Sequence, residues 1–396
     1  MISVAKALQL INMQVRDFGA HDVDLLNANG RILAQDVSAD RDYPPFNRVT
    51  MDGIAISSEA FKTGKREFKI EGIQAAGQEQ QTLKDPLNCL EVMTGAMLPI
   101  GCDAVIQYEL CEITSGIAKV QSDVITVFQN IHPQGNDSKQ GDILIKSDTT
   151  ITPAITGLLA AAGLTKVRVK RLPTVAVCAT GDELVEIDQQ PLPHQIRQSN
   201  SYMLLAELQQ EGIEAQRYHI ADDPQTMLAQ LSTLVQSNDV IMLSGAVSKG
   251  KFDHLPNVLK QLGMQTIFHG ITQRPGKPFL FGVMPNEALV FAFPGNPIST
   301  FVCYQLYFRE WLYACIGKKQ KTAKAFLSRP VSFKPQLTYH MLVTLSFEAG
   351  LLKASPISNS TSGDLISLAH TEAIVSFPAD RQEFGTDEPF DLLLLN

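Results

Sequence analysis

Along the first segment, SVAKALQLINMQV, apolar residues recur at about helical intervals, which predicts an amphipathic helix. DVDLLNANGRILAQDVSADRDYPPF comes next, with an Asn-Gly turn signal and a proline ending. Between residues 50 and 130 the rhythm shortens to strand-like runs: EFKIEGI, CLEVM, DAVIQYELCEI, IAKVQS and DVITVF. Gly, Pro and Ser-Asp signals interrupt them every 8–12 residues or so, roughly the spacing of a β-rich domain. ITPAITGLLAAAGL, residues 151–164, returns to helical spacing; it is too short to span a bilayer and contains a proline.

From Pro173 the pattern changes again. TVAVCAT reads as a buried strand, and a helix is expected in SYMLLAELQQEG. Strand AQRYHI, a helix opened by ADDP, strand DVIMLS, helix LPNVLKQLG and strands TIFHGI, FLFGV and LVFAF come next, then the helical TFVCYQLYFREWLYAC. Strands alternating with helices predict a doubly wound, largely parallel sheet covered on both faces. After about residue 320, PVSFKP, HMLVTLSF, AIVSFP and FDLLLL are strand-like without intervening helices, so a small C-terminal β domain is expected. The fold class is therefore multidomain, α/β plus β.

Composition narrows the function. The 396 residues exceed one ordinary domain. An apolar share of 44% with 19% charged residues supports globular cores. A formal charge of −8 argues against nucleic acid as a partner, since phosphate neutralisation needs a concentrated basic face. The N-terminus shows no signal peptide pattern. Six cysteines (Cys89, Cys102, Cys111, Cys178, Cys303, Cys315) form no C-x-x-C pair and read as reduced packing thiols of a cytoplasmic protein.

Ligands of open α/β sheets gather beyond the carboxyl ends of the strands, and four strand ends here carry unusual loops. In FPGNPIS, Pro297 suits a first helical turn, Asn296 can cap it, and Gly295 permits close approach. The free N–H groups beyond them, with Pro294 and Ser299 at the flanks, form a candidate anion site. SGAVSKGKFDH offers Ser244, Gly245, Ser248, Lys249 and Gly250 for oxyanions, and Asp253 as a carboxylate. RPGKP holds Arg274 and Lys277 on a proline-stiffened loop, and TGDE places Asp182 and Glu183 where carboxylates could bind Mg²⁺ with its waters. In the N-terminal half, Asp52 in NRVTMDG and Thr94 in EVMTGAMLPIGCDAVI have plain alternatives as turn or bend residues, and Asp137 and Asp142 in the exposed loop GNDSKQGD as solvated charges. Each loop alone has a bland reading: a solvated lysine, a helix start, a strand-to-helix turn. Together they point to a phosphate- and metal-handling site.

As a set, PPFNRVTMDGIA, EVMTGAMLPIGCDAVI, GNDSKQGDIL, VAVCATGDELVE, QSNSYML, SGAVSKGKFDH, RPGKPFLFG and FPGNPIS resemble the molybdopterin molybdenumtransferase family of MoeA type, which includes the E domain of gephyrin. The resemblance covers nearly the whole chain. It implies an elongated homodimer with four domains: 1–45 with 138–170, helical and linking; 46–137, β-rich; 171–318, α/β and adenylyltransferase-like; and 319–396, β. It also implies insertion of molybdate into adenylylated molybdopterin with Mg²⁺ and release of AMP, with a molybdopterin adenylyltransferase as functional partner. On that resemblance the 244–250 and 295–299 loops would hold the pterin phosphate and AMP moiety. Molybdate would sit near Arg274, Lys277 and Ser299. Glu183 and Asp253, with Asp182, would hold Mg²⁺ or the attacking water. Asp52 and Thr94 would reach the site of the other subunit, with Asp137 near the same cleft.

This chain departs from the family in places. Ala246 stands where a second glycine is common, Lys249 where an apolar residue is frequent, Gly270 where some members carry lysine, and Arg274 replaces a frequent lysine. Those changes leave a second reading, a catalytically altered paralogue that binds molybdopterin or acts as a scaffold. A third, a bare adenylyltransferase-type enzyme, does not account for the long N-terminal half.

Overall fold

Strands dominated by unbroken apolar runs need cover on both faces, and VAVCAT, VIMLS and LVFAF obtain it, buried at every position. In the computed structural model, which describes residues 1–245, 247, 254–358 and 361–395, they lie at the centre of a six-stranded sheet. Its order is Gln216–Ile220, Val175–Thr180, Val240–Ser244, Leu289–Phe293, Leu280–Val283, Gln265–His269. The first four strands are parallel, and Leu280–Val283 runs antiparallel to both of its neighbours.

Side chains alternate across this sheet, as the two-residue period of a strand requires. Val175, Val177, Val240, Met242, Leu289 and Phe291 pack on one face against Leu204, Leu208 and the aromatic group Tyr304, Tyr307, Phe308 and Trp311. Ala176, Cys178, Ile241, Leu243, Val290 and Ala292 pack on the other against helices Pro224–Ser237 and Leu255–Gln261. Asp223 caps the first of these, accepting the Thr226 N–H at 2.8 Å, so the ADDP signal is a true helix start. The N-terminal helix Val4–Asn12 buries Ala7 and Ile11 in the first of these cores.

Contact density divides the chain into two units: Met1–Val23 with Ala28–Ala34 and Arg168–Asn396, and Asp24–Asn27 with Gln35–Val167. Besides the α/β sheet, the first unit holds the C-terminal strands, five of which close on themselves. Thr338–Glu348 pairs with Leu351–Pro356, which pairs with Thr322–Leu327, then Pro389–Leu394, then Ala373–Phe377, and so back to Thr338–Glu348. Ala325, Leu327, Val343, Val375, Phe377 and Leu392 fill this small barrel. The second unit is built on another six-stranded sheet, ordered Ala104–Gln107, Gly53–Ile56, Cys89–Val92, Glu67–Gln74, Ile117–Val120, Cys111–Thr114. The helix expected near 151–164 is present in it as Pro153–Ala161, capped by Thr152.

Candidate functional site

The turn after the buried strand Leu289–Phe293 is a ridge between two cavities. On one side a cavity of about 90 Å³ is lined by Thr180, Glu183, Asn200, Ser244, Gly245 and Gly295, among others. On the other a cavity of about 250 Å³ is lined by Arg274, Lys277, Pro294, Asn296, Ser299 and Ser362, among others. Pro297 opens the helix beyond the turn and belongs to the lining of the smaller cavity. A third cavity of about 500 Å³ continues from Arg274 toward Arg329, Tyr339 and His340.

The ridge is held from within and by Ser362, which lies in the loop after strand Leu351–Pro356. Thr300 Oγ1 donates to the Pro294 carbonyl at 2.6 Å. Asn296 has the backbone of an N-cap, but its side chain does not cap the helix, contrary to the sequence expectation; Nδ2 donates instead to Ser362 Oγ at 2.7 Å. One expected anion donor is also engaged, because the Ile298 N–H donates to the Ser362 carbonyl at 3.2 Å. Ser299 is buried and faces the cavity that contains both cations.

Asn200 stitches the smaller cavity together. Its Nδ2 donates to Ser244 Oγ at 2.9 Å and to the Gly295 carbonyl at 2.7 Å, so one amide joins two strand-end loops. Its Oδ1 is buried without a partner among the described residues. Gly245 has φ +101°, and a methyl group there would lie 2.6 Å from the Thr180 carbonyl oxygen. Only glycine accepts both that dihedral and that closeness.

The two TGDE carboxylates diverge. Glu183 lines the smaller cavity, whereas Asp182 does not, and its Oδ1 accepts the Asp222 N–H at 3.1 Å. Ser248, Lys249, Gly250 and Asp253, with Ala246, lie outside the described residues. Among the described residues no group of three or more His, Cys, Asp or Glu side chains is placed to hold a metal. All six cysteines are free, and burial pushes the Cys89, Cys102 and Cys178 thiols up to about 12.

In the second unit Asp52 precedes strand Gly53–Ile56, and Thr94 lies just past its antiparallel neighbour Cys89–Val92. Asp52 Oδ1 accepts the Thr94 N–H at 2.6 Å and the Thr94 hydroxyl at 2.7 Å. Those two bonds, the backbone one foremost, hold the Asp52 carboxyl below its usual range. Asp137 Oδ1 bonds His132 Nε2 at 2.8 Å, and Arg48 lies 3.1 Å from the other ring nitrogen.

Sequence reasoning missed Asn200, Ser362 and Gln273. Asn200 gave a weak signal, an asparagine opening the helix of QSNSYML. Ser362 and Gln273 gave none, since each matters only through residues distant in the chain.

A doubly wound α/β sheet with a cation-lined cavity beside its strand-end loops, in a chain that also carries a β-rich domain and a small barrel, defines a multidomain α/β protein with a candidate anion site. Three family models match it in order: the MoeA N-terminal region (domain I and II) over residues 2–163, a probable molybdopterin binding domain over 176–314, and the MoeA C-terminal region (domain IV) over 324–395. A curated protein of Synechocystis sp., molybdopterin molybdenumtransferase, is 38% identical, with 98% of this chain and 99% of the relative covered. One of the same name from Staphylococcus epidermidis is 30% identical over 99% of this chain and 95% of its own length. The solved structure of a molybdopterin biosynthesis MoeA protein from Pyrococcus horikoshii OT3 is similar at a TM-score of 0.83 and 26% identity, with both chains wholly covered. The chain belongs to the molybdopterin molybdenumtransferase, or MoeA, family.

Proposed function

We propose that this protein is an enzyme of molybdenum cofactor biosynthesis that inserts molybdate into adenylylated molybdopterin, with Mg²⁺, and releases AMP. The observation that carries the reading is the convergence of Arg274, Lys277 and Ser299 on one cavity, with Glu183 lining another across the same turn. Molybdate is a dianion, and two cations beside a hydroxyl suit it. Arg274, where lysine is frequent in the family, favours two-point contact with an oxyanion. The smaller cavity, with Ser244, Gly245 and Gly295, would take the phosphate-bearing part of the organic substrate, and the loop through Ser248, Lys249 and Gly250 would complete it.

Glu183 suits Mg²⁺ as one carboxylate among waters and substrate phosphates, the usual way this ion is held; Asp253 would be a second, and Asp182 a weaker candidate because its carboxylate already serves Asp222. When bound, the ion would supply Lewis-acid polarisation of the phosphoanhydride. Glu183 would orient the attacking water, and Lys277 would offset charge on the oxyanion. Asp52, held with Thr94 in a defined rotamer, would serve the site of a partner subunit in a homodimer, with Asp137 close by. A molybdopterin adenylyltransferase would supply the substrate. The unpaired thiols support a reducing, cytoplasmic setting.

Incubating the purified protein with adenylylated molybdopterin, molybdate and Mg²⁺ should release AMP with retention of molybdenum on the pterin. AMP at background with the pterin still bound would overturn the catalytic reading. The curated relatives carry a transferase's name, which does not favour the scaffold alternative.

A further inference from the structure

The loop bearing Arg274 and Lys277 rests on a side chain that the proposed chemistry leaves unused. Gln273 is wholly buried, where an amide is costly unless it is hydrogen-bonded. Its Oε1 accepts a short hydrogen bond from the Tyr307 hydroxyl. Its Nε2 donates to the Gly276 carbonyl at 3.2 Å and lies 3.5 Å from Cys303 Sγ. Gly276 has φ +86°, and a side chain there would strike Cys303 Sγ and come within 2.7 Å of Gln273 Nε2. The backbone between the two cations is thus pressed onto Gln273 and Cys303. Ile271 N–H closes the loop by donating to the Lys277 carbonyl at 2.9 Å.

Both partners belong to the helix that begins at Pro297. Cys303 ends its α-helical part, and Tyr307 lies in a π-helical turn, Tyr304–Phe308, before the helix resumes at Arg309. Such a turn inserts an extra residue and rotates the helix beyond it. Here Tyr307 points at Gln273 while its ring stacks on Phe279, with centroids 5.1 Å apart. The same helix supplies Ser299 to the cavity. Its two walls, one bearing Arg274 and Lys277 and the other Ser299, are therefore joined through the buried Gln273 amide, beside a weaker direct contact of 3.7 Å from Cys303 Sγ to the Gly276 carbonyl.

We propose that Gln273, oriented by Tyr307, is a positioning residue that sets the separation of Arg274 and Lys277 from Ser299, and with it the affinity of the cavity for a tetrahedral oxyanion. The inference rests on the oxyanion reading of that cavity and deepens it. AMP release against molybdate concentration, measured for wild type, Gln273→Met and Tyr307→Phe, tests it. Gln273→Met keeps the length but loses both bonds; Tyr307→Phe keeps the ring and its stacking and loses one. Half-saturating molybdate should rise about tenfold in the first and about threefold in the second, with kcat within about twofold of wild type. A merely structural role would lower the folded fraction and hence kcat, leaving half-saturation unchanged, and that result overturns the proposal. Should Gln273→Met fail to fold, Tyr307→Phe decides alone. Calorimetric titration with molybdate separates the two readings. A wild type that binds molybdate without releasing AMP removes the proposed reaction and leaves the positioning role to be judged by variant affinities; one that binds none removes both.

Discussion

Asp182 and Glu183 are adjacent in sequence, yet Glu183 lines the smaller cavity and Asp182 does not, its carboxylate accepting the Asp222 N–H instead. Composition could nominate both; only their hydrogen-bond partners tell them apart. Glu183→Gln removes the charge and keeps the shape, so AMP release should fall about 100-fold with pterin affinity retained, as for a lost general base or metal ligand. Unchanged turnover would take Glu183 out of the mechanism. His340 gives a second residue-scale test. It is buried, bonded to Ser376 Oγ through Nδ1 and, among the described residues, unpartnered at Nε2, and burial pushes its pKa down to about 3 from an ordinary 6.5. Between those values the unfolded chain binds a proton that the folded chain refuses, so the folded state is fully favoured above pH 6.5 and loses stability as pH falls toward 3. At pH 5 the loss is roughly 2 kcal/mol. Thermal midpoints at neutral pH and at pH 5 should differ less in His340→Gln than in wild type.

At the scale of elements, strands were the most legible part. VAVCAT, VIMLS and LVFAF are apolar on both faces, up to the Thr180 and Ser244 ends of the first two, because both faces of the sheet are covered, and no solvent-exposed element needs that pattern. The helix after FPGNP was legible from its apolar face and from Pro297. Its π turn was not, since a single inserted residue inside a helix apolar on most sides leaves no periodic mark. The Asn296 cap was misread for a related reason. Local sequence proposes a backbone partner three residues on, and Ser362, in a loop 66 residues further along the chain, outcompeted it. Gly245 shows how strictly an element's end is built. Alanine there meets both a left-handed dihedral and the Thr180 carbonyl, so Gly245→Ala should cost about 1–3 kcal/mol. A thermal midpoint close to wild type would show that the loop relaxes freely.

For the molecule as a whole, the three-part sequence rhythm of β-rich, α/β and β segments matched the architecture because each domain type imposes its own hydrophobic period. The first helix was less transparent. Its amphipathic pattern fixes that one face is covered, but not that the cover is a core whose strands begin after Pro173. If Asp52 serves the cleft of a partner, Asp52→Ala and Glu183→Ala are each inactive, but mixing them leaves one intact cleft in every heterodimer. Random reassociation should then recover roughly a quarter of wild-type AMP release, since half the dimers are mixed and each has one working site of two. Recovery at background would mean that both residues serve one subunit.

The circular pairing of the C-terminal strands gives Pro389–Leu394 two neighbours at once, Thr322–Leu327 and Ala373–Phe377. A message truncated just before that segment would leave two rows of unsatisfied peptide groups, and such rows recruit strands from other chains. Loss of that one strand would thus turn a self-contained module into a seed for clumping, far from any reacting atom.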